Sequence, residues 1–177
     1  MRRLVPPCTL AALLLAGCGT VAPSADVPPL PTFDAVAAVA AIRAAGSAGA
    51  SELDVQPLRD PQVEDLRQQA SALQARRLFR AAADVLDEAL AINTDDPAML
   101  QERAEAALLL HQLPEAERFA QRAFAAGSQV GPLCRRHWET IAQVRGGLAD
   151  AATPVDATAS DARRQRDACT VAAPDRF

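Results

Sequence analysis

The fold is decided by residues 63–130, where two consecutive segments of equal length share one pattern of small and apolar residues. Residues 63–96 read VEDLRQQASALQARRLFRAAADVLDEALAINTDD, and residues 97–130 read PAMLQERAEAALLLHQLPEAERFAQRAFAAGSQV. Alanine recurs 34 positions apart in the pairs Ala70 and Ala104, Ala82 and Ala116, and Ala89 and Ala123. Such a period is typical of stacked helical hairpins. The sequence therefore predicts an all-α domain in which each segment forms one hairpin.

Proline and aspartate mark the predicted starts of the first helices. Pro61, Pro97 and Pro132 each stand near such a start, where the missing backbone N–H costs nothing. Asp60 and Asp96 precede the first two prolines and can accept hydrogen bonds as N-caps. We therefore expect a first helix to begin at each of these prolines.

The two segments resemble the tetratricopeptide repeat, a helix–turn–helix unit of this length. The six paired alanines stand at the family's small positions, whereas its tyrosines are absent, and Thr94 and Ser128 replace its usual proline. The resemblance implies about two repeats over residues 61–130 and a concave groove lined by the first helices. The residues at the groove positions, called the groove residues below, are Glu64, Arg67, Gln68, Ser71, Gln74, Gln101, Glu102, Glu105, Arg135, Arg136 and Glu139.

Residues 131–177 depart from the repeat and predict a capping helix with a C-terminal tail. Trp138 stands where the first two units have alanine, and Gly146-Gly147 interrupts the second half of the unit. We expect Leu133 to Val144 to cap the apolar face of the second repeat. A last short helix is expected from Asp161 to Cys169, with Ser160 as its N-cap.

The N-terminus resembles the signal peptide of a bacterial lipoprotein. Arg2 and Arg3 precede an uncharged stretch of about 12 residues, which is too short to span a bilayer. Leu15-Ala16-Gly17-Cys18 then resembles a lipobox. The resemblance implies that residues 1–17 are removed, that Cys18 is acylated, and that residues 18–32 form a Pro- and Ala-rich tether. An ordinary secretory signal with a coincidental cysteine is the alternative.

Cysteine usage is consistent with that compartment. The resemblance implies that Cys8 leaves with the signal and that Cys18 is acylated, which leaves Cys134 and Cys169. Two cysteines in an oxidising envelope compartment predict one disulfide. Two separately buried thiols are the alternative.

Residues 33–60 predict a short helix followed by an extended segment. The helix is expected from Phe33 to Ala45, capped by Thr32 and ended by Gly46. We expect it to dock on the main domain through an apolar face that consists of Phe33, Val36, Ala37 and Ala40. The alternative is that it lies on the membrane surface, but Arg43 alone gives it little basic character for that. Residues 33–58 could also fill the groove in cis, which is the alternative to an open groove.

The sequence contains no recognisable catalytic, metal or cofactor motif. His111 and His137 are the only histidines, and they are expected to be exposed or partly packed. The formal net charge of −4 and an aromatic content of 3% argue against nucleic-acid binding. We therefore expect neither an enzyme nor a cofactor-binding protein.

Together these features predict a lipid-anchored protein of the bacterial envelope, most simply at the outer membrane facing the periplasm. Its function would be that of a protein–protein interaction scaffold in assembly, secretion or pilus biogenesis. The alternative is an accessory or regulatory subunit of an envelope enzyme such as a peptidoglycan remodeller. In either case the partners are the membrane, through the anchor, and an unidentified envelope protein or peptide.

Overall fold

A computed structural model describes residues 33–47, 59–148 and 155–170, except for the side chains of 155–157, and within these ranges it contains seven α-helices and no strand. The helices are α1 (Ala35–Ala45), α2 (Pro61–Ala75), α3 (Phe79–Ile92), α4 (Pro97–Leu109), α5 (Leu113–Ala126), α6 (Gly131–Leu148) and α7 (Val155–Ala168). The prediction of an all-α fold is confirmed. No helix in the described ranges is long and apolar enough to cross a membrane. The predicted signal peptide, Cys18, the tether, Thr32 and most of the predicted extended segment (residues 48–58) lie outside the described residues.

The helices pair into hairpins because small side chains let them approach closely. Helix α2 packs against α3, α4 against α5 and α6 against α7, and α3 and α5 join successive hairpins by packing on α4 and α6. All six paired alanines are fully buried. A larger side chain at these positions would force the helices apart or leave its rotamer minimum. The predicted helix contacts are therefore confirmed.

The helix starts and the turns repeat along the chain. Asp60 accepts a hydrogen bond from the backbone N–H of Gln62 at 2.8 Å, and Asp96 accepts one from that of Ala98 at 2.9 Å, so both predicted N-caps are confirmed. After α2 and α4 the chain turns through Arg77 and His111, whose φ angles are 61° and 57°. These left-handed residues end both helices in the same way, at positions where glycine is the usual choice.

The third unit differs from the expected cap and tail, because α7 completes a third hairpin. Helix α7 begins at Val155, so Ser160 lies inside it rather than at its N-cap. The Sγ atoms of Cys134 and Cys169 are 1.99 Å apart, which confirms the predicted disulfide. Ala162 of α7 is buried in the main core, because a small residue on this helix permits close packing on α6.

Helix α1 docks on α4 and α6, but through a different face from the one predicted. The buried residues are Ala35, Ala38, Val39 and Ile42, whereas Val36 of the predicted face is half-exposed. Nearly every position of this helix is apolar, so periodicity does not distinguish its faces. The face that docks is the one with the two large buried side chains, Val39 and Ile42. Gly46 ends the helix as predicted, and its N-cap is Asp34 rather than Thr32.

Candidate functional site

Helix α1 covers the part of the predicted groove between α4 and α6. Val39 and Ile42 of α1 form a buried apolar cluster with residues of α4, α5 and α6, namely Ala107, Leu108, Ala116 and Val144. The partly buried Phe33 and Leu113 pack against this cluster. The chain's own helix therefore occupies the groove over these two helices, as in the alternative of a groove filled in cis.

Glu105 is the central charged residue beneath α1. Its carboxylate is completely buried, and Arg43 of α1 donates from Nε to its Oε2 at 2.9 Å. Arg136 of α6 donates to the other oxygen, from Nε at 3.2 Å and from Nη2. A buried carboxylate is tolerated only when such donors replace its hydration. Arg43 also donates to Oε1 of Gln74 at 2.8 Å, so this one side chain joins α1 to α2 and α4.

The C-terminal end of α1 is held by α6. Arg135 donates to the backbone carbonyls of Ala45 at 2.9 Å and Ser47 at 3.0 Å. A cation at this end also interacts favourably with the helix dipole. Gly46 also lets the side chain of Arg136 pass close to the end of α1, because a Cβ atom at this position would lie 2.2 Å from Cγ of Arg136. Two of the groove arginines are therefore engaged in holding α1.

A fully buried polar network lies behind Glu105. Gln101 donates from Nε2 to Oε1 of Glu105 at 3.0 Å and to Oγ1 of Thr140 at 2.9 Å. The amide oxygen of Gln101 accepts a hydrogen bond from Nδ1 of His137 at 2.8 Å, which places the histidine's proton on Nδ1. Gln101 is thus an internal residue rather than an open groove residue.

His137 is fully buried, so the expectation of an exposed or partly packed side chain is wrong. Burial, together with the nearby positive charge of Arg136, lowers the pKa of His137 to about 3. The imidazole is therefore neutral at physiological pH. Its Nε2 atom has no hydrogen-bond partner among the described residues.

The groove is open at the α2 end, where its charged residues pair with one another. Arg67 donates to Glu64 at 2.7 Å and lies 3.5 Å from Glu102. The hydrogen bond from Arg67, together with one from Gln68, lowers the pKa of Glu64 to about 2. Burial raises the pKa of Glu102 against the opposing charge of Arg67. Ser71 is exposed beside this cluster.

Glu139 does not join the other groove residues. Its carboxylate accepts hydrogen bonds from Arg166 of α7 at 2.6 Å and from Gln143 at 2.6 Å. It therefore links α6 to α7 inside the third hairpin. Over the ranges the structure describes, no group of three or more acidic, histidine or cysteine side chains could hold a metal ion.

No protein-family model matches the chain, and no curated protein matches it significantly. One solved structure is similar, that of the globular C-terminal domain of LpoP from P. aeruginosa. The two are 27% identical with a TM-score of 0.55, and the match covers 62% of this chain and 99% of the LpoP domain. The chain therefore contains a domain similar in sequence and helical fold to the whole LpoP domain.

Proposed function

We propose that the protein is an accessory or regulatory subunit of an envelope enzyme that acts on peptidoglycan, and that it has no catalytic activity of its own. The observation that carries this proposal is the likeness to LpoP, which extends over nearly the whole of that domain. The matched domain is C-terminal in LpoP, and the described helices here also follow an N-terminal region. Of the two functions that the sequence left open, this likeness favours the regulatory subunit.

The state of the groove supports the same choice. A general scaffold of tetratricopeptide type would bind a peptide across α2, α4 and α6. Here α1 fills that surface over α4 and α6, and Glu105 and Arg136 already satisfy one another there. A peptide would have to displace a helix and break buried ion pairs, which is costly. A rigid outer surface that docks on a folded partner therefore accounts better for the geometry.

The proposed function includes a lipid anchor, which would position the domain in the envelope. Acylated Cys18 would hold the domain at the outer membrane facing the periplasm, and the tether would let it reach partners in the envelope. Anchoring raises the effective concentration of the domain for such partners. Replacing Cys18→Ala is expected to abolish labelling by a radioactive fatty acid and to release the protein from the membrane fraction. Unchanged labelling would contradict the anchor.

The regulatory function is tested with the full chain, purified in detergent, and the peptidoglycan synthases and hydrolases of the same cell. We expect the chain to bind one of them and to change its rate about fivefold or more, a common size for allosteric coupling. An envelope enzyme that does not act on peptidoglycan serves as the control and should be unaffected. Absence of binding and of any rate change across the whole set would contradict the proposal.

A further inference from the structure

The turn between α2 and α3 presents an unusual set of side chains, called the arginine turn below: Arg76, Arg77, Leu78, Phe79 and Arg80. The three arginines are exposed, Leu78 is 43% exposed, and Phe79 is half-buried. The guanidinium of Arg77 lies 5.9 Å from the centre of the Phe79 ring. Five consecutive residues thus combine two apolar side chains with three arginines.

Among the described residues, the arginines of this turn have no carboxylate partner, whereas most other arginines there do. Arg67, Arg145 and Arg166, for example, lie within 2.7 Å of a carboxylate oxygen. No ion pair joins any arginine of the turn to another residue in the described ranges. Acidic residues outnumber basic ones in the chain by 22 to 18, so partners are not scarce. Like charges left together repel one another, which makes this grouping a cost to the fold.

The next hairpin shows that the fold does not require arginine in this turn. The turn between α4 and α5 has the same left-handed residue 34 positions later, with φ 57° at His111 against 61° at Arg77. There the ring of His111 lies edge-on to Phe33, with centroids 6.3 Å apart, and Leu113 packs against the α1 cluster. The second turn therefore packs against the N-terminal part of the chain, at Phe33 and α1. The first turn has the same backbone conformation but an exposed basic surface.

Leu78 independently indicates that this turn is a binding surface. It is the N-cap residue of α3, and its side chain makes no capping hydrogen bond. Serine or aspartate would stabilise a helix at this position. An exposed leucine therefore contributes less to the helix start than a polar residue would, and it supplies the apolar centre of the surface.

We propose that the arginine turn docks an acidic surface of a partner protein, with Leu78 packed between carboxylates that pair with the surrounding arginines. Arginine and aromatic residues are enriched in protein interfaces, and guanidinium groups bind carboxylates through paired hydrogen bonds. On the proposed function, which this inference refines, the partner is the regulated peptidoglycan enzyme.

The first test uses a fluorescent peptide of alternating glutamate and leucine as the probe, with binding to the full chain followed by anisotropy. Arg80→Glu is matched by Arg163→Glu, because Arg163 is also exposed, has no ion pair among the described residues, and gives the same change in charge. Glutamate in the first turn of α3 agrees with the helix dipole, so the variant should fold. We expect Arg80→Glu to weaken binding about tenfold or more and Arg163→Glu to leave it within about twofold. Equal weakening by both variants would overturn the proposal.

Leu78→Ser separates docking from folding, because it supplies an N-cap to α3 and removes the apolar centre. We expect an unchanged or higher melting temperature together with weaker binding of the peptide. Retained binding would overturn the assigned role of Leu78. If Arg80→Glu abolishes binding to phosphatidylglycerol vesicles but not to the peptide, the surface faces a membrane and the proposal is wrong.

The same variants distinguish this inference from the proposed function. If a peptidoglycan enzyme binds the chain and Arg80→Glu does not weaken that binding, the arginine turn is not the docking surface and the regulatory function stands. If the peptide binds at the turn but no peptidoglycan enzyme binds the chain, the surface stands and the proposed function fails.

Discussion

Replacing Ile42→Ala should release α1 from the groove while leaving the hairpins intact. Ile42 is completely buried in the cluster that α1 forms with α4, α5 and α6. Truncation of such a side chain costs about 2–4 kcal/mol through lost transfer free energy and the cavity left behind. Because α1 docks through only a few other buried side chains, this loss removes most of its local stability.

Native-state hydrogen exchange measures this loss directly. A loss of that size should lower the protection of the α1 amides by a factor of about 30–1,000, while the α4 and α5 amides retain theirs. The matched control is Val36→Ala on the exposed face of the same helix, which should change stability by less than about 0.5 kcal/mol. Equal protection of the α1 amides in both variants would show that α1 does not dock through the face of Val39 and Ile42.

Three other changes test the packing and the buried network. Removing the disulfide by Cys134→Ala with Cys169→Ala opens a loop of sequence separation 35 and should lower the free energy of unfolding by about 3–4 kcal/mol in urea titrations; a change below about 1 kcal/mol would contradict this. Ala104→Leu should destabilise the domain by about 1–3 kcal/mol, whereas Ala72→Leu on the exposed side of α2 should have little effect on the melting temperature. The pKa of His137 is 6.5 in the unfolded chain and about 3 in the folded one. The folded state therefore has its full stability above pH 6.5 and loses part of it as the pH falls from 6.5 towards 3, because only the unfolded chain binds the proton in that range. On this account the wild type should lose about 2 kcal/mol more than His137→Gln between pH 7 and pH 5, and parallel stability curves would contradict it.

The hairpins were predictable because their signals are local and repeated. Ala70 and Ala104 stand at the same place in two segments, and Asp60 and Asp96 precede the prolines at which α2 and α4 begin. Small residues at a fixed period report helix contacts directly. The pairing of Cys134 with Cys169 followed from the compartment that the lipobox resemblance implied, together with the cysteine count.

The tertiary placement of the less regular parts was not predictable from one sequence. Helix α1 is so rich in alanine that several faces are equally apolar, and only packing against Leu108 and Val144 selects the face of Val39 and Ile42. The burial of His137 carries no local signal, because it depends on Gln101 of another helix.

The predictions of an open groove and of a C-terminal tail were wrong for the same reason. The groove positions were carried over from the repeat family. In the structure Glu105 pairs with Arg43 of α1 and with Arg136, and Glu139 pairs with Arg166 of α7. Helix α7 begins at Val155 rather than after Ser160, so Ser160 is a helix-interior residue. Each of these placements is decided by an element distant in sequence.

On the proposed function, this domain docks on a peptidoglycan enzyme through the arginine turn. Photo-crosslinking in living cells tests it most directly, with the photoreactive amino acid placed at Leu78 and, as a control, at Leu148, which is 52% exposed on the third hairpin. We expect a crosslink from position 78 to an enzyme that synthesises or remodels peptidoglycan, and none to that enzyme from position 148. A crosslink to such an enzyme from position 148 alone, or from neither position, would contradict it.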